Sequence, residues 1–279
     1  MRFSIFSRFS ARNSGPVLAA VANGLARLGH KVSDHDDSAD VAVIWSRLWS
    51  GRMVNNKAIV DGFRATGRPV IIIEVGVLDR NQTWRVSLDQ QLFPAQGHDN
   101  TRAQQLGLQL TPWHGSGQSI LIAMQNPKSD QWHGQLPIDE WLKQTVAQTR
   151  AHTDRPIEVR PHPRFPLQSL PTGCVLQMPQ YLSNTYDSYD FEQACNRAWA
   201  VINFNSHPGI VSVLKGTPAF VHASSWAAPV ANTDLSLIEN PRRPDRTQWL
   251  NDLAWTEWSL DELSSGAALQ ETVNGLRNS

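Results

Sequence analysis

The sequence predicts an α/β protein built from two doubly wound parallel sheets and closed by a helical tail. Three observations carry that reading. Short apolar runs, among them residues 41–45, 70–73, 119–124 and 201–204, are bounded by polar loops, as parallel strands buried on both faces require. Amphipathic helical patterns alternate with these runs, which implies crossover connections between parallel strands. Thr111-Pro112-Trp113-His114-Gly115-Ser116-Gly117, rich in Pro, Gly and small polar residues, separates two such alternating halves. At 279 residues the chain is long enough for two domains of roughly 100–150 residues each.

Residues 2–6 read as the first strand and 7–15 as a polar loop, with Pro16 suited to the first turn of a helix. Val17, Leu18, Val21, Leu25 and Leu28 recur at helical spacing, and Gly29-His30 ends the run. Residues 31–33 begin a second strand. This order makes a Rossmann-like opening that lacks G-x-G-x-x-G. Arg8 and Arg12 lie in its loop, where they either meet an anionic ligand or are simply solvated. Asp34-His35-Asp36-Asp37 reads as a solvated turn, because consecutive side chains in a loop cannot all point at one ion. After the strand 41–45 and a helix over 55–66, residues 70–74 form the strongest strand, with four consecutive β-branched residues. It ends in Glu74-Val75-Gly76, and a carboxylate there is placed to act as a base or to pair with an arginine. Residues 79–99 read as an irregular, aromatic-rich loop in which Asp99, after His98, is a second candidate base.

The second half starts with the strand 119–124 and its polar exit, Gln125-Asn126-Pro127-Lys128-Ser129-Asp130. A helix over 137–149 leads to Ile157-Glu158-Val159-Arg160-Pro161-His162-Pro163-Arg164. There an apolar strand runs into a turn made rigid by the prolines on either side of His162, with Arg160 and Arg164 bracketing the imidazole. A short strand over 174–176, a polar loop over 181–189 and a helix over 191–197 follow. Residues 200–209 repeat the strand-to-loop pattern: an apolar strand ends in Asn205-Ser206, and Pro208-Gly209 opens a helix running to Leu214. Cations, a histidine and a helix start at strand ends are what a nucleotide diphosphate needs. Residues 217–221 form one more strand. From Arg242 to Leu276 the pattern is helical.

Lys+Arg and Asp+Glu both number 25, so no global charge draws the chain to nucleic acid or membrane, and any polyanion site must be a local patch. Cys174 and Cys195 have neither metal-site spacing nor the density of a disulfide scaffold, and read as reduced thiols. No run approaches the roughly 18 apolar residues of a membrane-spanning helix, and the first residues lack a signal-peptide pattern. A soluble cytoplasmic protein without membrane insertion is the expectation. The 11 tryptophans could stack on sugars or bases, but each taken singly reads as a packing residue with a satisfied N–H.

Two Rossmann-like halves, a linker and a helical tail make the outline of the GT-B glycosyltransferases. The second half resembles their capsule-polysaccharide and bacterial polysialyltransferase type. That family's His-Pro motif is matched by His162-Pro163, and its serine-bearing donor motif by Asn205-Ser206. Its acidic-acidic-Gly motif is matched in part by Glu74-Val75-Gly76, with one acid missing. The tail segment from Trp249 to Trp258, with Glu262 and Gly266, resembles small phage-encoded proteins of this type linked to glycosylation of hydroxymethylated pyrimidines in phage DNA. The resemblance implies metal-independent transfer from a nucleotide sugar to a hydroxyl, here a 5-hydroxymethylpyrimidine in DNA, in the host cytoplasm if the protein is phage-encoded. It implies Glu74, His162 and Asp99 as catalytic residues. Arg160, His162, Arg164, Asn205, Ser206 and Gln125 become donor-binding, and Arg8, Arg12, Trp45, Trp49 and Trp84 acceptor-binding. The nucleotide sugar enters as substrate, with no permanently bound cofactor and no metal. Residues 1–114 would then be the acceptor-side domain and 119–240 the donor domain, with 241–279 a tail packing back on the first domain.

The chemistry is coherent by itself. The charge of the leaving diphosphate must be neutralised and the acceptor hydroxyl deprotonated. The sequence offers no Asp-x-Asp pair suited to Mg²⁺, so cations and helix dipoles would do the first task. Rival readings are the same fold acting on a surface polysaccharide or lipid, a sugar-nucleotide epimerase, and a non-catalytic nucleotide- or DNA-binding module.

Overall fold

The structure is a computed structural model and describes residues 1–89, 93, 95–132, 134–183, 185 and 188–277. In chain order the strands are β1 (Arg2–Ile5), β2 (Lys31–Asp34), β3 (Val41–Trp45), β4 (Val70–Val75), β5 (Trp84–Leu88), β6 (Ser119–Ala123), β7 (Ile157–Arg160), β8 (Cys174–Leu176), β9 (Ala198–Asn203), β10 (Ala219–Val221) and β11 (Glu257–Trp258). The helices are α1 (Gly15–Arg27), α2 (Asn56–Ala65), α3 (Thr101–Gln105), α4 (Ile138–Arg150), α5 (Phe191–Arg197), α6 (His207–Leu214), α7 (Thr247–Ala254), α8 (Leu260–Ser265) and α9 (Ala267–Arg277). The chain divides into two compact units. One holds residues 1–96, 128–130 and 252–279, the other residues 97–127 and 131–251. Each is a Rossmann-like α/β layer structure, as in GT-B proteins.

The first unit is built on a six-stranded sheet in the order β11-β5-β4-β3-β1-β2. The four strands from β2 to β4 are parallel, and β5 and β11 are antiparallel additions at one edge. Alternation of side chains explains why these strands look continuously apolar. Phe3, Ile5, Val41, Val43, Ile71 and Ile73 face a core shared with α1, Leu263 of α8 and Leu269 of α9. Ala42, Ile44, Val70 and Ile72 face the other way, onto Val60 and Phe63 of α2. Both faces are covered, so neither can carry polar residues. α1 and α8 approach closely at Gly24, where an added Cβ would lie 2.1 Å from the Leu263 carbonyl oxygen.

Three expectations are corrected here. Residues 79–99 are not all irregular, because β5 forms a regular antiparallel pair with β4, from Ile71–Leu88 to Val75–Trp84. Its alternation of Trp84 and Val86 with Arg85 and Ser87 is short and was masked by the polar residues around it; Gln90, Gln91, Leu92 and Pro94 lie outside the described residues. The first sheet is therefore mixed rather than wholly parallel. The tail is not wholly helical, since Glu257 and Trp258 pair with Arg85 and Trp84 as β11.

The second unit carries a five-stranded sheet, β10-β9-β6-β7-β8, with every neighbouring pair parallel. Ile120, Ile122, Ile157, Val159, Ala200 and Ile202 face Ile138, Leu142 and Val146 of α4, and Leu121, Ala123 and Val201 face Ala194 and Cys195 of α5. The Thr111–Gly117 stretch, expected as a linker, is bonded into this unit. Thr111 N–H donates to Leu214 O at 3.1 Å and His114 N–H to Gly216 O at 2.9 Å. Arg246, stacked on Trp113 at 3.9 Å, donates to Thr111 O at 2.7 Å. Both cysteines are free thiols.

Candidate functional site

The strand order of the second unit locates the site. The chain leaves β6 for β7 and then β8 on one side, and returns to β9 and β10 on the other. Its direction reverses between β6 and β9. At such a point the loops leaving two neighbouring strands diverge and open a crevice at their carboxyl ends, where open α/β sheets bind ligands. The residues leaving β6 are Met124, Gln125 and Asn126; those leaving β9 are Phe204, Asn205 and Ser206, followed by α6.

Asn203 organises this point. It is 1% exposed. Its Nδ2 donates to Ala123 O at 2.9 Å, which ties β9 to the end of β6, and to Ser206 Oγ at 3.0 Å. Its Oδ1 accepts the Ser206 N–H at 2.9 Å. Ser206 sits at the N-cap position of α6, yet its side chain does not cap the helix, being turned to Asn203 instead. The start of α6 thus has no side-chain cap from Ser206, and the Ser206 hydroxyl lies beside the positive end of its dipole. Gln125 is 3% exposed, and its Oε1 accepts the Asn205 N–H at 3.3 Å.

A second set of residues joins from β10. His222 N–H donates to Phe204 O at 2.7 Å, and the His222 ring stacks on Phe204 with centroids 4.5 Å apart. Ser224 Oγ lies 2.8 Å from His222 Nδ1 and accepts from Asn205 Nδ2 at 2.9 Å. Asn203, His222 and Ser224 were absent from the residues expected from sequence. Asn203 reads there as the last residue of a strand. His222 follows a strand end just as His162 does, which is the signal that could have found it.

His162 lies at the carboxyl end of β7, which pairs with β6 on the side away from β9. It shares an edge with Gln125 and stands two strands from Ser206, roughly 10 Å by strand spacing. Arg164 N–H donates to His162 Nδ1 at 3.1 Å, so the neutral ring carries its proton on Nε2. Arg164 is exposed. Arg160 departs from expectation: it is 4% exposed and turned into the domain, with Nη2 donating to Asp190 Oδ1 and Nη1 to Gln177 Oε1, both at 2.7 Å. Burial acts to raise the Asp190 carboxyl, but the Arg160 hydrogen bond and the Gln180 N–H outweigh it and hold it below its ordinary value. The positive charge of Arg160 is thus neutralised within the fold instead of being presented at the strand end.

In the first unit, Glu74 is the next-to-last residue of β4. Arg85 forms an ion pair with its Oε2, while Ser46 Oγ and Arg47 N–H approach Oε1 at 3.4 Å each. Burial acts to raise this carboxyl, and the Arg85 charge and hydrogen bond with the Arg47 N–H outweigh it, so Glu74 titrates below its ordinary value. Ser46 is held at φ 63°, a left-handed conformation that a non-glycine residue rarely adopts. Gly76 lies over a second, unforeseen carboxylate, because an added Cβ would be 2.4 Å from Glu257 Oε2. Glu257 is fully buried and accepts Val77 N–H, Leu78 N–H and Thr83 Oγ–H at 2.5, 3.0 and 2.7 Å. Desolvation raises its pKa. Glu257, from β11, is thus bonded to the backbone of the loop that follows Glu74-Val75-Gly76.

The other expected residues scatter. Asp99 is exposed and accepts the Thr101 N–H at 3.0 Å at the start of α3. Trp45 and Trp84 are 3% and 9% exposed and belong to the first unit's core, which closes them to a stacked base. Trp49 is half-buried, with its indole N–H on Asp130 Oδ1 at 3.0 Å. Arg8 and Arg12 are exposed near the end of β1. Glu262 forms a capping box with Ser259 at the start of α8. Among the described residues, no group of three or more His, Cys, Asp or Glu side chains is arranged to hold a metal ion, and no helix is long and apolar enough to cross a membrane.

No family model matches the chain, and no curated protein matches it by sequence. Solved structures share its fold. The KpsC β-Kdo 2,4 transferase of Thermosulfurimonas dismutans aligns with a TM-score of 0.55 at 12% identity, over 93% of this chain and 92% of that one. The β-Kdo 2,7 transferase of the same organism's KpsC aligns with a TM-score of 0.54 at 13% identity, over 97% and 100%. A UDP-GlcNAc 2-epimerase of Methanocaldococcus jannaschii aligns at only 0.35, with 11% identity over the whole of both chains. The likeness to the two transferases is one of fold.

Proposed function

We propose that this chain is a glycosyltransferase that takes its sugar from a nucleotide sugar held at the carboxyl edge of the second sheet. The observation that carries the reading is the Asn203-oriented Ser206 at the uncapped start of α6, at the point where the strand order reverses. Fold likeness to two Kdo transferases supports it. In the reaction the acceptor oxygen attacks the anomeric carbon, the bond from that carbon to the phosphate oxygen breaks, and the nucleotide leaves with the bonding electrons. The α6 N-terminus and the Ser206 hydroxyl stabilise the negative charge that develops, and His162 Nε2–H and Arg164 add donors from the end of β7. The acceptor's proton passes to a carboxylate. Glu74 is our candidate, since it is ionised at neutral pH, with Asp99 as the alternative.

For the acceptor we propose a 5-hydroxymethylpyrimidine in phage DNA, supported by the tail resemblance and by the exposed Arg8 and Arg12 near the end of β1. A glycan hydroxyl is the second reading, favoured by the fold shared with the Kdo transferases. Incubation with hydroxymethylated DNA, a glycan oligomer and a panel of nucleotide sugars, followed by mass analysis, separates them. A sugar-sized mass gain on the nucleoside supports the first. Unchanged DNA with every donor, beside an extended glycan, replaces it with the second. Interconversion of a free nucleotide sugar with no acceptor selects an epimerase. Full biological activity of Glu74→Gln would point to a non-catalytic binding module.

A further inference from the structure

Beside the start of α6, two side-chain atoms are closed to solvent and lack a hydrogen-bond partner among the described residues: Gln125 Nε2 and Asn205 Oδ1. Their residues are joined through the Asn205 N–H on Gln125 Oε1. Buried polar atoms in native structures nearly always find partners. A donor and an acceptor left open on two residues that are themselves hydrogen-bonded, at the reversal point of the sheet, call for a partner that arrives with the ligand.

The direction of the surrounding hydrogen bonds decides which end of Asn205 is the acceptor. Ser224 N–H reaches His222 Nδ1 at 3.2 Å, and a backbone N–H can only donate, so Nδ1 carries no proton. The Ser224 hydroxyl, 2.8 Å from the same nitrogen, must then donate to it. Having donated its one proton, Ser224 Oγ accepts from Asn205 at 2.9 Å, and the atom it accepts from is Nδ2. The carbonyl end of Asn205 is thereby turned away from Ser224. Gln125 is oriented by the same logic, since its Oε1 is occupied by the Asn205 N–H and Nε2 remains as the open donor.

We propose that Gln125 and Asn205 together recognise a hydroxyl group on the ligand whose phosphate lies at the α6 start, with His222 and Ser224 as positioning residues. A hydroxyl accepts from Gln125 Nε2 and donates to Asn205 Oδ1. A phosphate oxygen only accepts at neutral pH and cannot serve Asn205, so this pair reads the neutral part of the ligand while Ser206 and α6 take the anion. The proposal rests on a nucleotide sugar binding at this edge. The hydroxyl belongs either to the ribose or to the transferred sugar.

Calorimetric titration of the full chain tests this. The probes are inorganic pyrophosphate, the common ribonucleoside mono- and diphosphates, the deoxy forms of whichever binds, and the corresponding nucleotide sugar. Asn205→Ala is expected to weaken the hydroxyl-bearing ligand about tenfold, one hydrogen bond's effect, while pyrophosphate stays within about twofold. Ser206→Ala weakens both. A loss seen with the free nucleotide, and reproduced by a deoxyribose form on the unaltered protein, assigns the hydroxyl to ribose. A loss confined to the nucleotide sugar assigns it to the sugar. His222→Ala should cost about threefold, with His222→Asn restoring affinity because its Oδ1 can accept near the Nδ1 position. If Asn205→Ala does not fold, the deoxy series, in both ribose and sugar, reads the same contact. Equal loss of pyrophosphate and nucleotide in Asn205→Ala, or deoxy ligands that all bind as tightly as their parents, overturns the proposal. If no nucleotide binds the unaltered protein, the glycosyltransferase reading itself falls.

Discussion

Asn203 holds Ser206 by both backbone and side chain: its Oδ1 takes the Ser206 N–H at 2.9 Å and its Nδ2 reaches the Ser206 hydroxyl at 3.0 Å. A buried amide at the last position of β9 thus sets the first residue of the candidate anion site, and also fastens β9 to β6 through Ala123 O.

Asn203→Ala should therefore lose on two counts. It leaves Ala123 O short of a donor and frees Ser206, at a cost of about 1–3 kcal/mol in stability. Urea unfolding measures the first effect and pyrophosphate affinity the second. Ser206→Ala should lose the affinity with little loss of stability, which separates the two roles.

Arg160 makes a different prediction from the one its sequence position suggests. Its guanidinium is buried against Asp190, so Arg160→Ala leaves an unpaired carboxylate and should destabilise the protein by roughly 3–5 kcal/mol. Replacing both residues with apolar side chains of similar volume should recover much of that loss. A variant of unchanged stability that had lost only donor affinity would show that Arg160 faces the ligand after all.

Glu74 gives a pH test with a definite sign. Its carboxyl titrates below its ordinary value in the folded state, so its pairing with Arg85 contributes fully above the unfolded value of roughly 4.3 and is lost as pH falls through the folded one. The stability difference between wild type and Glu74→Gln should be about 2 kcal/mol at neutral pH and shrink towards acid. Denaturation curves across the acid range check it. A difference that grows as pH falls would refute the assignment.

Gly76→Ala should be poorly tolerated. The new Cβ would meet Glu257 Oε2 at 2.4 Å, Thr83 Oγ at 2.5 Å and Thr83 O at 2.6 Å, and the last is backbone that cannot swing away. A loss of about 1–3 kcal/mol in unfolding free energy is expected, as for other overpacked sites. Gly62→Ala, with open space around its Cβ on α2, is the matched control.

Much of the architecture was legible because local rules wrote it. Runs such as Val70–Ile73 can only be strands buried on both faces, and Asn205-Ser206 before Pro208-Gly209 marks a helix start. β5 and β11 were not legible. Each is short; β5 is flanked by polar residues that hide its alternation, and β11 is formed by pairing Glu257 with Arg85, residues far apart in the chain. The candidate site divides in the same way. Gln125, Asn205 and Ser206 could be named from their place at strand ends, but their convergence depends on β6 and β9 being neighbours.

The sequence by itself determined two alternating α/β units and the polar strand exits on which a site is built, because hydrophobic periodicity and the conformational limits of proline and glycine act over a few residues. Tertiary structure alone decided which charges remain available. Arg160 and Arg246 were drawn inward, with Arg160 neutralised by Asp190, and Trp45 and Trp84 were taken into the core. It also brought Glu257 beneath Gly76 and set His222, Ser224 and Asn205 in one directed chain. Pairing of charges and direction of hydrogen bonds depend on distances between strands that no local pattern records.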